Sequence, residues 1–173
     1  MSKENLEYIS KEFMKRHISI ADIAYEVFKS QIDYVENLKI SDANIAVSKV
    51  LSKTEVQNAL MVAINLDNLA NKNMLDGPLQ EAVHSDKGTF GIDEVIALST
   101  SGLYGSIATT NYGYLDKIKP GIIGRLNDLQ RETGFVTTFL DDMVAAIISS
   151  AEGKIAHNTE ESDTVYVEMM VKR

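Results

Sequence analysis

The chain has 173 residues, 45% apolar and 24% charged, with ten glycines, two prolines, no cysteine and no tryptophan, the composition of one globular domain whose core needs neither disulfides nor a structural metal. The lack of cysteine excludes thiol catalysis, cysteine zinc sites and a disulfide scaffold. Seventeen basic against twenty-five acidic residues leave a formal charge of −8, which repels nucleic-acid backbones and anionic lipid surfaces, so an anionic ligand would need a bridging cation.

The first residues carry acidic side chains and no apolar run, which predicts no signal peptide and a cytoplasmic protein. Leu6, Ile9, Phe13 and Met14 recur at helical spacing and predict a helix over residues 5–16. Ser19 with Asp22 reads as the N-cap of a second helix through Ile23, Val27, Phe28, Ile32 and Val35. Ser41 is expected to cap a short third helix, and Ser52-Lys-Thr-Glu55 is a capping-box pattern before Val56, Leu60, Met61, Ile64, Leu66 and Leu69. Asn71 to Asn73 end that element, Gly77-Pro78 starts a short segment, and residues 85–88 form a turn.

In the second half, residues 95–115 carry no charge, a run long enough to cross a bilayer. Ser99, Thr100, Ser101, Ser106, Thr109, Thr110 and Asn111 are too polar for lipid, so the run is expected to be a central core helix followed by a second segment, buried in protein. Pro120 at an N1-like position opens a helix with Ile122, Ile123, Leu126 and Leu129, and residues 138–155 form the last long helix. Residues 158–163 read as a polar linker, and residues 164–171 as an extended tail that pairs as an edge strand or docks on a neighbouring subunit. The expected fold is all-α: a single compact multi-helix domain over residues 1–157 with a central apolar helix surrounded by others, then a linker and tail over residues 158–173. It is not expected to be an integral membrane protein, transient membrane contact stays open, and small-residue helix faces with an apolar tail predict a homo-oligomer.

No serine-nucleophile elbow, phosphate-binding loop or H-E-x-x-H motif is present, and His17, His84 and His157 are far apart. Carboxylates remain. Asp93-Glu94 opens the uncharged run, Asp141-Asp142 sits within apolar sequence, and Asp116 precedes Lys117 and Lys119. Acids at helix starts offset the positive end of the helix dipole, which explains one acid per helix. Two adjacent acids beside an apolar run cost desolvation and mutual repulsion that a divalent cation relieves, and Mg²⁺ takes one or two carboxylates, waters and phosphate oxygens. Lys119 is then either a salt-bridge partner of Asp116 or a point charge for a phosphoryl group. Ala145, Ala146, Ser149 and Ser150 follow one pair, and Ser99, Gly102, Gly105 and Ser106 the other, so two helices are able to cross closely there.

These residues resemble the phosphatidylglycerophosphatase A family, in particular its soluble branch of low-temperature-requirement C type, over about residues 52–157. The segments that carry the resemblance are Leu51-Ser-Lys-Thr-Glu-Val-Gln-Asn-Ala-Leu60, Gly91-Ile-Asp-Glu-Val-Ile-Ala-Leu98, Tyr104-Gly-Ser-Ile107, Asn111-Tyr-Gly-Tyr-Leu-Asp-Lys-Ile-Lys-Pro-Gly121 and Thr138-Phe-Leu-Asp-Asp-Met-Val-Ala-Ala-Ile147. The wider family shares an Asp-Glu pair, an Asp-x-x-Lys-Pro segment and an Asp-Asp pair in this order, here Asp93-Glu94, Asp116 with Lys119-Pro120, and Asp141-Asp142.

The resemblance implies Mg²⁺-dependent (or Mn²⁺-dependent) removal of the terminal phosphate of phosphatidylglycerophosphate or a related phosphomonoester, on an all-α fold with a central helix. It implies Asp93, Glu94, Asp116, Asp141 and Asp142 as metal ligands and Asp116, Lys119 and Asp142 as catalytic groups. The N-terminal glycine-rich element of membrane-embedded relatives is missing, and Gly113 stands where those relatives often carry an arginine, so the substrate stays open between a lipid and a soluble phosphate ester. Two other readings stand beside this one: a non-catalytic helical interaction protein whose acids cap helices, and an all-α nucleotide pyrophosphohydrolase, whose paired E-x-x-E and E-x-x-D helices are not found.

Overall fold

The computed structural model describes residues 3–171, with side chains described over residues 3–157; the outermost residues of the expected tail, 172–173, lie outside the described residues. The helices are α1 (Lys3–Lys15), α2 (Ile20–Gln31), α3 (Ile40–Leu51), α4 (Thr54–Asn71), α5 (Pro78–His84), α6 (Ile92–Ser101), α7 (Gly105–Ile118), α8 (Gly121–Thr133) and α9 (Leu140–Val171), with a 3-10 turn at Gly102–Tyr104. No strand occurs among the described residues, and no described helix is long and apolar enough to cross a membrane.

α9 is the axis, packed against α2, α3, α4, α6, α7 and α8. Met143, Val144, Ala145, Ala146, Ile147, Ile148 and Ala151 are wholly buried, so this helix is apolar all round where the others show one apolar stripe. Its two buried serines are harmless because each hydroxyl donates to the Ala146 carbonyl, at 3.0 Å from Ser149 and 2.6 Å from Ser150. Small residues set the spacing to α7: a Cβ added at Gly153 would lie 3.0 Å from Ala108 Cβ and 3.1 Å from the Tyr104 carbonyl oxygen. α9 does pack on both α6 and α7, but the expected small-residue face is not what meets it: Ser99, Gly102 and Ser106 are exposed, and the close approach to α7 is made at Ala108 instead.

Several expectations are corrected. The central helix is α9 and not the uncharged run, which is broken at Gly102 into α6 and α7 and buries only the stripe of Ala97, Thr100, Ser101, Ala108, Tyr112 and Leu115. Val95, Leu98 and Leu103 on its other face are exposed. Ser19 caps α2 through a reciprocal pair, Asp22 N–H to Ser19 Oγ at 3.0 Å and Ser19 N–H to Asp22 Oδ2 at 3.1 Å. Ser41, by contrast, lies inside α3, whose entry is fixed by Lys39 N–H donating to Asp42 Oδ2 at 2.9 Å. The capping box at Ser52 is not formed, because its hydroxyl donates backwards to the Lys49 carbonyl at 2.8 Å. Past His157 the backbone stays helical to Val171 instead of breaking into a linker and an extended tail; no proline or glycine interrupts residues 158–171, and Glu and Met there are good helix formers.

The end of α1 fixes α4. Arg16 is buried, its guanidinium donating to Glu12 Oε2 at 2.9 Å and to Asn68 Oδ1 at 2.8 Å while it lies 5.3 Å from the Phe135 ring centre. Burial alone would raise the Glu12 carboxyl, but bonds from Lys15, Arg16 and Asn68 outweigh it and lower its pKa to about 2. Asn68 is thereby held, and with it the neighbouring Asp67 of α4.

Candidate active site

Asp67 lies in the apolar stripe of α4 with Ala63, Ile64 and Ala70, and is fully buried. Its Oδ1 accepts the Phe139 N–H at 3.0 Å and its Oδ2 the Leu140 N–H at 3.1 Å. Two of the donors that a helix N-terminus leaves without intrahelical partners are satisfied in this way. Burial pushes the Asp67 carboxyl well above its usual range, against the pull of those two N–H groups. A residue on a distant helix therefore caps α9, and Asp141 and Asp142 in its first turn are left to face elsewhere.

They face a cleft of about 260 Å³ between the residue 86–91 turn, α6, the end of α7 and the start of α9. Lys119 is its centre. The residue ends α7 in the left-handed conformation (φ 44°), its N–H bonded to the Leu115 carbonyl at 2.8 Å, and the chain reverses there into Pro120 and α8. Lys119 Nζ donates to Asp116 Oδ1 at 2.7 Å and Asp141 Oδ2 at 3.0 Å, and lies 3.5 Å from Asp142 Oδ1. Asp141 Oδ1 accepts the Asp142 N–H at 2.9 Å, which orients the pair.

Asp93 and Glu94 line the same cleft from the first turn of α6 without touching Lys119. Asp93 is buried and its Oδ1 accepts the Glu94 N–H at 3.0 Å; Glu94 is exposed. All six expected residues thus converge, three acids on one ammonium and two more across the cleft. Lys119 is a salt-bridge partner of Asp116, and of two further aspartates that no local spacing connects to it.

Charge is unbalanced in this space, where six carboxylates meet the ammonium groups of Lys87, Lys117 and Lys119. Burial raises Asp141, with Lys119 pulling it down; burial and the Asp141 charge together raise Asp142, again opposed by Lys119. Asp93 is raised by burial and by the charges of Asp86 and Glu94. Burial would lower Lys119, but its aspartate partners outweigh this and hold it protonated. Under the cleft, Tyr112 is raised by burial and by the charges of Asp142, Asp116, Glu94 and Asp93, and its buried hydroxyl has no hydrogen-bond partner among the described residues.

Sequence reasoning missed Asp67 and Asp86. A single charged residue inside the apolar stripe of α4 was the available signal for Asp67. Asp86 gave none, being one of three polar residues in a turn; its left-handed backbone (φ 47°) and its place on the wall of the acidic cleft emerge only in the fold.

The sequence model of the family "Phosphatidylglycerophosphatase A" matches residues 19–157, so the likeness begins at the Ser19 cap and not only near residue 52. The chain is 45% identical to uncharacterized protein YutG of Bacillus subtilis over 149 residues, 86% of this chain and 89% of that protein. Its fold is similar to the low temperature requirement C protein from Listeria monocytogenes, with TM-score 0.85, 42% identity, and coverage of 92% of this chain and 98% of that one. A protein of unknown function from Bacillus stearothermophilus is similar with TM-score 0.83 and 43% identity over 88% of this chain and 93% of that one. With the family's sequence model matching from α2 into α9, the chain belongs to the phosphatidylglycerophosphatase A family.

Proposed function

We propose that the chain is a Mg²⁺- or Mn²⁺-dependent phosphomonoester hydrolase, acting on phosphatidylglycerophosphate or a related phosphate ester. The observation that carries the reading is the Asp67 cap: because α9 is capped from α4, Asp141 and Asp142 are not needed for that purpose, yet they sit buried with Asp116 in a cleft of excess negative charge. Hard oxygen donors of this kind suit Mg²⁺. Asp116, Asp141 and Asp142 would hold the ion, with Asp93 and Glu94 on its far side. When bound, it would neutralise charge on the phosphoryl oxygens and acidify a water.

The chain's own groups have separate tasks. Lys119, always protonated here, places a fixed positive charge at the cleft centre for a phosphoryl oxygen. Its left-handed backbone and the following Pro120 hold that charge at the junction of α7 and α8. Without a cation, burial and their mutual repulsion hold the Asp141 and Asp142 carboxyls above the usual aspartate range, a penalty that a bound cation would relieve.

One observation favours a second reading, a binding protein without catalysis. Among the described residues no group of three carboxylates or histidines is preformed as a metal cage, and the three closest acids grip Lys119. A phosphate-release panel separates the two, with soluble phosphomonoesters and phosphatidylglycerophosphate micelles assayed with and without Mg²⁺ or Mn²⁺. The enzyme reading expects metal-dependent release that falls roughly 100-fold or more in Asp116→Asn. No release from any ester, or release unchanged in that variant, overturns it. Activity confined to soluble esters removes the lipid substrate.

A further inference from the structure

A second cavity lies between α2, α7 and α9, reached past the α7–α8 junction, with a volume of about 580 Å³, within the usual range for small-molecule sites. Its floor is Glu152 of α9, 1% exposed, eleven residues along the helix from the Asp141 turn. Ser30 Oγ from α2 and Asn111 Nδ2 from α7 both donate to this carboxyl, the latter to Oε2 at 2.8 Å. Burial raises Glu152, and the two donors only partly offset it. A carboxylate has about four lone-pair positions, so these donors leave acceptor capacity.

The walls supply the rest of the pattern. Leu115, Ile118 and Pro120 form an apolar side, and the exposed rings of Tyr34 and Tyr114 stand at the mouth. Glu26 also lines the cavity, but Lys29 neutralises it at 3.1 Å while lying 5.6 Å from the Tyr25 ring centre. Asp33 has no ion pair among the described residues. Two uncompensated carboxyl groups, one of them buried, together with aromatic faces and an aliphatic wall, select a positively charged group on a hydrocarbon body. An anion or a phosphate would be repelled.

We propose that this cavity is a binding site for a small organic cation, an alkylamine whose ammonium is held by Glu152 at the floor and whose carbon chain lies against Leu115, Ile118 and Pro120. The site is separate from the acidic cleft and stands whether or not that cleft hydrolyses phosphate esters. It is tested by NMR titration of the full chain with n-butylamine, and with 1-butanol as the neutral probe of similar shape. The amine is expected to shift resonances around α2, α7 and α9, and 1-butanol to bind at least about tenfold more weakly, the size of one charge-assisted hydrogen bond.

Glu152→Gln keeps the shape, its amide oxygen still accepting from Asn111 Nδ2 and its NH2 donating to Ser30 Oγ, whose proton goes to the Val27 carbonyl, and is expected to weaken the amine about tenfold. Should that variant fail to fold, Tyr114→Lys adds a positive charge at the exposed mouth, far from any buried bond, and is expected to weaken the amine as well. Asp142→Asn, in the acidic cleft, is expected to leave the amine's affinity unchanged. The proposal is overturned if the amine does not bind, if 1-butanol binds equally, if a folded Glu152→Gln variant (or, where that does not fold, Tyr114→Lys) binds the amine as tightly as wild type, or if Asp142→Asn abolishes amine binding.

Discussion

Replacing Asp142 with asparagine is expected to stabilise the metal-free protein at neutral pH. The residue is 3% exposed, and burial and the Asp141 charge both oppose its ionisation. A carboxyl with an unfolded pKa near 3.9 that resists ionisation in the fold costs at pH 7 at most what protonating it would, about 1.36 kcal/mol per pH unit over roughly three units, or about 4 kcal/mol. The amide has similar shape and no charge. It gives up the longest of the Lys119 contacts, 3.5 Å, and leaves those at 2.7 and 3.0 Å to Asp116 and Asp141. The expected net gain is therefore about 1–3 kcal/mol. Its sign with pH follows from the raised folded pKa: the penalty is absent below the unfolded pKa and grows as pH rises toward the folded one. Urea unfolding in chelator should show wild type and variant equal near about pH 4 and the variant ahead at about pH 7. Mg²⁺ should close the gap by stabilising the wild type more. A variant less stable than wild type at neutral pH in chelator, or a gap that does not change with pH, refutes the reasoning.

Asp67→Ala strands the buried Phe139 N–H and leaves the Leu140 N–H only its shared bond to the Thr137 carbonyl, and is expected to lower stability by about 2–3 kcal/mol, whereas Asp67→Asn keeps one acceptor and should lose about 1 kcal/mol; urea unfolding that ranks the two in reverse order counts against the cap. Gly121 has φ +49° and lies beside the Glu26 carboxylate, which would have to swing away from an added methyl group. Gly121→Ala is expected to cost about 1–2 kcal/mol in urea unfolding, chiefly from the left-handed backbone, and a cost within error of zero would count against it.

Much of the fold was legible because helix starts and stops are local. The Ser19–Asp22 pair, Pro78 after Gly77 and the Asn71 stop all stand where their side-chain chemistry puts them. Which helix lies at the centre was not legible in residues 95–115, since absence of charge does not reveal that small side chains such as Gly102 and Ser106 are exposed. The apolar run in α9 was the better sign, its Ala145, Ala146, Ser149 and Ser150 all buried in a helix that packs on six others. The acids of the site were legible as charges stranded in apolar sequence. Their geometry was not, because the bonds that create it span 22 residues from Lys119 to Asp141 and 72 from Asp67 to Phe139. No periodicity links such positions.

The division of labour between Asp67 and Asp141-Asp142 also bears on what the cleft is for. A helix N-terminus favours negative charge, and one carboxylate bonded to its free N–H groups captures that benefit. Asp67 already does so with both oxygens. Asp141 and Asp142 add two more buried carboxyls at the same helix end, repel each other and draw on a single lysine that Asp116 shares. Structural need alone would favour neutral side chains at one of these positions, because each further charge lowers stability at neutral pH. Groups that destabilise the fold where they stand, yet are oriented by specific bonds such as Asp142 N–H to Asp141 Oδ1, are what a site built for a bound cation requires. The chelator comparison of Asp142→Asn thus tests more than an energy: a variant that gains stability while losing its response to Mg²⁺ is what the hydrolase reading needs, and a helix-capping role would give the opposite sign.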